Sequence, residues 1–140
     1  MVGLILSGVS TTAISHTIDT AKRIVYLRIN REPTMAEAEE GLLLAFQDPL
    51  YQAGFTCLVD RTVAGPPSKE HVYRLTEIFN RHRHILTPSR VAVIVASPAA
   101  HGMFRMLQGL NHDMPSELNI FNSQAEGEQW LCQPRSNPAP

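Results

Sequence analysis

Two sets of polar side chains in this sequence could do chemistry, and each follows a short apolar run. Asp60, Arg61 and Thr62 close "FTCLVD", and Ser97, His101 and Arg105 follow "RVAVIVA". A carboxylate such as Asp60 can bind a cation, orient a base or hold a ligand. It can equally accept the backbone N–H groups of its own loop, and that local role is the expectation here. Arg61 beside it offers a local charge balance. Ser97, His101 and Arg105 recur at helical spacing, which puts them on about one face. A helix N-terminus with a nearby arginine can hold a carboxylate or phosphate, and a histidine there titrates near neutrality. Ser97 is also fully accounted for as a cap before Pro98. Met103 reads first as core and second as an adaptable ligand surface. Gly102 costs about 1 kcal/mol against Ala in a helix, which points to the close approach of a neighbour or ligand, or to tight helix–sheet packing.

Other chemistries have less in their favour. His82 and His84 are two apart, so on a helix they diverge, and no cysteine or carboxylate cluster joins them. No metal and no cofactor are expected, since glycine-rich phosphate loops and nucleophile elbows are missing as well. Cys57 sits inside an apolar run, a poor place for a nucleophile. Ser68 and Thr62 are the phosphorylation candidates, because phosphate is electrostatically comfortable at a helix start.

The elements that must position these residues follow from periodicity and caps. Ile14, His16 and Ile18 alternate with polar residues, and "IVYLRI" at 24–29 follows a polar turn, which reads as a hairpin. Thr34 with Glu37 makes a capping-box pattern for a helix that Asp48-Pro49 breaks. "FTCLVD" at 55–60 reads as a strand covered on both faces. Two prolines then precede Ser68, the cap of a helix carrying Val72, Leu75, Ile78 and Phe79 on its apolar face. "RVAVIVA" at 90–96 is the clearest buried strand. It leads into a Ser97-capped helix whose face is read as Met103, Met106 or Leu107, and Leu110. A strand near 117–121 and a Ser123-capped helix through Trp130 complete the order β-β-α-β-α-β-α-β-α. That order implies a single α/β domain with a mainly parallel five-stranded sheet, an N-terminal hairpin and about four helices. Domain bounds of 14–132 are expected, with a leader or edge segment at 1–13 and a flexible tail at 133–140. In such sheets ligands lie beyond the strands' C-terminal ends. The rule selects Asn30 with Arg31, Asp60 to Thr62, Ser97 with His101 and Arg105, and Asn122 with Ser123.

The composition allows this. The 140 residues suit one domain able to bury a core without disulfide or metal. Apolar residues at 44 % and charged residues at 18 %, with a net charge of −1, give no basic face for nucleic acid. The two cysteines form no Cys-x-x-Cys pair, which fits a reducing cytoplasm. "MVGLILSGVSTTA" lacks the basic start of a signal peptide, and no run has transmembrane length, so stable membrane insertion is not expected.

The order of elements, with "LVDRT", "RVAVIVASPAAHGMFRMLQ" and "LNIFNSQAEGEQWL", resembles the SpoIIAA-like family, related in fold to STAS domains. The resemblance spans about residues 14–132. It implies a small bacterial α/β domain without known catalysis. STAS anti-sigma antagonists bind partner proteins and are switched by phosphorylation of a serine at the helix start after the third strand. Ser68 holds that place here, with "DRTVAGPP" instead of an Asp-Ser-Ser-Gly type of motif. More distant relatives of the fold carry lipids in an apolar cleft. The reading that results is a non-enzymatic regulatory or small-molecule-binding module. Its expected ligand is apolar or anionic and sits near Asp60, Arg61, Ser97, His101, Met103 and Arg105, between the two junctions. A protein partner and a homodimer stay open. The alternatives are a protein-interaction switch at Ser68 or Thr62, and a small enzyme using His101 and Asp60.

Overall fold

The computed structural model describes residues 13–114 and 116–134. The expected leader, apart from Ala13, and the tail from 135 onward lie outside the described residues. The elements are β1 (Ile14–Asp19), β2 (Ile24–Ile29), α1 (Met35–Phe46), β3 (Thr56–Asp60), α2 (Lys69–Arg81), β4 (Arg90–Ile94), α3 (Pro98–Leu110), β5 (Glu117–Phe121) and α4 (Gln124–Leu131). The five strands lie in sequential order β1-β2-β3-β4-β5, with β1 antiparallel to β2 and every other pair parallel. The expected single α/β domain, with its N-terminal hairpin and mainly parallel sheet, is therefore present.

Sequential parallel order has a consequence for the layers. Each crossover steps the same way across the sheet, and crossovers share one hand, so their helices fall on one face. Helices α1, α2 and α3 accordingly pack over Val25, Leu27, Cys57, Val93 and Ile120. Among the described residues only α4 covers the other face, over Ile24, Leu58, Ala92 and Ile94.

The caps behave as their residue types require. Thr34 and Glu37 form a reciprocal capping box at α1. The hydroxyls of Ser68, Ser97 and Ser123 accept from the N–H of His71, Ala100 and Glu126. In α3 the buried stripe is Ala100, Phe104 and Leu107, while Leu110 is 38 % exposed. The expected stripe through Met103 and Leu110 is thus offset by about one position, because Phe104 fills the interior beside Val93 and Val95. Met103 and Met106 flank that stripe, half-buried. The expectation for Gly102 is also corrected: a Cβ there meets open space, so nothing packs against it. Its cost of about 1 kcal/mol is outweighed by burying Phe104 and Leu107, each worth roughly 1.5–3 kcal/mol.

Helix α4 has eight residues and is too short to stand alone. The side chain of Leu131 anchors it. Gly127 lets it approach the sheet so closely that an added Cβ would lie 2.6 Å from Ile94 Cδ1. Buried Arg90 donates through Nη1 to the carbonyls of Trp130 (2.6 Å) and Gln133 (3.0 Å), at the helix end that favours cations. Its guanidinium also sits 5.1 Å from the Trp130 ring centroid.

Candidate functional site

Asp60 ends β3 on the α4 side of the sheet, since it alternates with Leu58. Its Oδ1 accepts from the backbone N–H of Thr62 (3.0 Å) and from the Thr62 hydroxyl (2.7 Å). Both residues are thereby spent on the turn. The charge balance expected between Asp60 and Arg61 is not formed; Arg61 pairs with Glu32 instead. Ser68 is exposed, and Ser97 is half-buried as a cap. His101 borders an open depression with Ala96, Ser97, Pro98 and Asn122, and Arg105 is exposed one turn further on. Met103 packs against the core between α3 and its neighbours. Asp60 thus faces the α4 side, and it is not among the residues that border the depression at His101. The gap expected between the two junctions is crossed by a different contact: the Arg61 guanidinium lies 5.5 Å from the Phe104 ring centroid.

Arg61 is the centre of a cluster whose other members the sequence reading did not select. It follows β3 and alternates with Cys57 and Val59, so it points toward the helices and is only 3 % exposed. Its Nη2 donates to Glu32 Oε1 at 2.6 Å and to the Gly65 carbonyl at 2.9 Å. That carbonyl is presented by a turn in which Gly65 takes φ +80°, a conformation open to glycine and costly for most others. The other carboxylate oxygen, Glu32 Oε2, lies 2.8 Å from His71 Nδ1. Glu32 comes from the loop after β2, and His71 from the first turn of α2. The cluster thus stands beyond the carboxyl ends of two adjacent parallel strands, where α/β sheets place ligands. Burial holds the His71 pKa below its ordinary value, against the pull of the Glu32 carboxylate and with the Arg61 cation adding to the lowering. His71 is the neutral member of the trio at neutral pH.

Beneath the cluster, between the helical layer and the sheet, are two apolar cavities. One measures about 100 Å³ and the other about 80 Å³. Leu27, Leu42, Val59, Phe79, Val91 and Leu118 line both, so the two chambers adjoin across shared walls. Arg61 and His71 line the smaller chamber, and Asn111, Met114 and Ser116 bound the larger one at the opposite end. Cys57 also borders the larger chamber, but burial pushes its thiol pKa up to about 12, which leaves it un-ionised and a poor nucleophile. No three His, Cys, Asp or Glu side chains gather as a metal-ligand set among the described residues. No described helix is long and apolar enough to cross a membrane.

The signal that could have found the cluster was present in the sequence. Alternation from Cys57 through Val59 carries Arg61, not Asp60, to the helix side. Glu32 and His71 had no comparable mark, since each reaches Arg61 only through the fold.

Comparison with known proteins bears on the architecture. No family model matches the chain, and no curated protein matches it. Among solved structures it is similar to an uncharacterized protein of the DUF3478 family from Shewanella loihica PV-4, described as having a SpoIIAA-like fold. The TM-score is 0.59 at 19 % sequence identity, over 86 % of this chain and 93 % of that one. Sequential strands, an antiparallel first hairpin and helices on both faces agree with that likeness, and the fold of this chain is SpoIIAA-like.

Proposed function

We propose that this protein is a non-enzymatic binding module that holds a small apolar molecule between its helical layer and its sheet. The observation that carries this reading is the pair of adjoining chambers with Leu27, Leu42, Val59, Phe79, Val91 and Leu118 as common walls. Apolar cavities stay dry and accept apolar ligands; an engineered one of roughly 150 Å³ takes benzene. Each chamber here, at about 100 and 80 Å³, is smaller than that, but the two in series suit a slender molecule of about benzene's bulk. Small-molecule sites are typically apolar with a few convergent polar groups, and Arg61 with His71 supplies these.

The catalytic alternative needs Asp60 and His101 in one cleft, and Asp60 is not among the residues that border the depression at His101. The phosphorylation switch is weaker at Thr62, where a phosphate would replace a hydrogen bond to Asp60 with repulsion.

The test is a titration of methyl-labelled protein with 1-hexanol, followed by NMR. Shifts concentrated at the Leu27, Leu42, Val59, Val91 and Leu118 methyls are expected. Val59→Phe should abolish them by filling the shared wall, at a stability cost of about 1–3 kcal/mol. Shifts scattered over the surface, or none, would refute the reading.

A further inference from the structure

We infer that the ligand is a slender apolar carboxylic acid, whose head group takes the place of Glu32 on Arg61. This deepens the binding-module reading and rests on it. Arg61 is 3 % exposed and lines the smaller chamber. Its Nε is buried and has no hydrogen-bond partner among the described residues. A buried donor left unmet is costly, and a native protein that keeps one in the wall of a cavity calls for an explanation.

The geometry of the guanidinium supplies one. Nε and Nη2 form one edge of its planar fork, an edge that fits both oxygens of a single carboxylate. Glu32 uses only half of that edge: Oε1 meets Nη2 at 2.6 Å, while Oε2 is turned to His71 at 2.8 Å. An incoming carboxylate can bridge Nε and Nη2 together. Glu32 is the displaceable partner, because its side chain is 41 % exposed and sits on a loop, so it can turn to water at little desolvation cost. Arg61 cannot leave in the same way, with its side chain 4 % exposed. Exchange of one carboxylate for another keeps the buried cation compensated throughout.

The rest of the ligand follows from the walls. From Arg61 a chain enters the smaller chamber and continues along Val59, Val91 and Leu118 into the larger one. By the benzene scale this space holds roughly six to eight carbons. Among the described residues the chambers offer no second Lys or Arg, which selects a single acidic head over a dianion.

The experiment compares hexanoate with 1-hexanol by methyl-shift titration on the full chain, in wild type, Glu32→Gln and Arg61→Met. Hexanoate is expected to bind roughly tenfold or more tightly than 1-hexanol to wild type, the worth of one charge-assisted hydrogen bond. Glu32→Gln removes the competing charge while keeping an oxygen for Arg61, so it should bind hexanoate several-fold more tightly and leave 1-hexanol unchanged. Arg61→Met should erase the preference. Equal binding of the two probes to wild type, or hexanoate binding that Glu32→Gln weakens, would overturn the acid assignment and leave the module standing. If neither probe moves the chamber methyls, the module reading fails and the acid assignment with it.

Discussion

Removing the carboxylate of Glu32 tests the energetics of the cluster without any ligand. Glu32→Ala leaves the Arg61 guanidinium buried, with one bond to the Gly65 carbonyl and the face of Phe104 for company. Breaking a fully buried ion pair costs about 3–5 kcal/mol, because the surviving charge stays desolvated. Glu32 is 41 % exposed, so water reaches the vacated side and the expected cost falls to about 2 kcal/mol. For a chain of this length that lowers Tm by about 6 °C. Arg61→Met removes the charge itself and keeps a flexible side chain against Phe104, so it should lie within about 1 kcal/mol of wild type. The double variant should then resemble Arg61→Met and not the sum of the two, a coupling of about 2 kcal/mol. Urea unfolding followed by circular dichroism, with the fluorescence of the single tryptophan, Trp130, as a second probe, measures all four proteins. A Glu32→Ala variant within 0.5 kcal/mol of wild type, or additive single effects, would refute the view that Glu32 compensates a buried cation.

Two further predictions concern stability. Gly102→Ala should stabilise by about 0.5–1 kcal/mol because its Cβ enters open space, whereas Gly127→Ala should destabilise because its Cβ meets Ile94 Cδ1 at 2.6 Å; paired unfolding curves decide, and a reversed order would sink the packing account. Stability should also fall in two stages on acidification. The folded pKa of His71 lies below its ordinary 6.5, so between those values the unfolded chain binds more protons, and stability declines as pH drops below about 6.5. Lower still, Glu39 (bonded first by His82, then Arg81), Asp48 (by the Leu50 N–H, then His16) and Glu128 (by Gln124, then Tyr26) have depressed values, so their contribution is lost as pH falls through them. His71→Gln should flatten the upper stage in unfolding curves at pH 7.5 and 5.5, and an unchanged slope would count against the assignment.

Most of the element order was legible because its signals are local. A capping serine acts on an N–H three residues away, and a strand's apolar run needs only its own residues, so Ser68, Ser97, Ser123 and the Thr34–Glu37 box were open to reading. The face of α3 was less legible. Met103, Phe104, Met106, Leu107 and Leu110 offer two overlapping stripes, and only the neighbouring strands choose between them. Gly102 misled for the same reason, since a residue type cannot say whether its missing side chain faces a neighbour or solvent. Of the site residues proposed from sequence, Arg61 stands at the cluster described here, while Asp60, Thr62, Ser68 and Ser97 hold local turns and caps.

The sequence by itself determined the α/β class, the hairpin start, the strand ends where ligands gather, and the absence of a recognisable catalytic motif. Those are properties of short windows, set by propensity, periodicity and capping over a few residues. Only the tertiary structure decided what meets at the strand ends. Glu32, Arg61 and His71 are separated by 29 and 10 positions along the chain, and they converge because β2 and β3 lie side by side with α2 returning over them. The chambers are likewise a product of assembly. Their walls come from β1, β2, α1, β3, α2, β4, α3 and β5, and no one segment encodes the space that remains when the three helices on this face settle on the sheet.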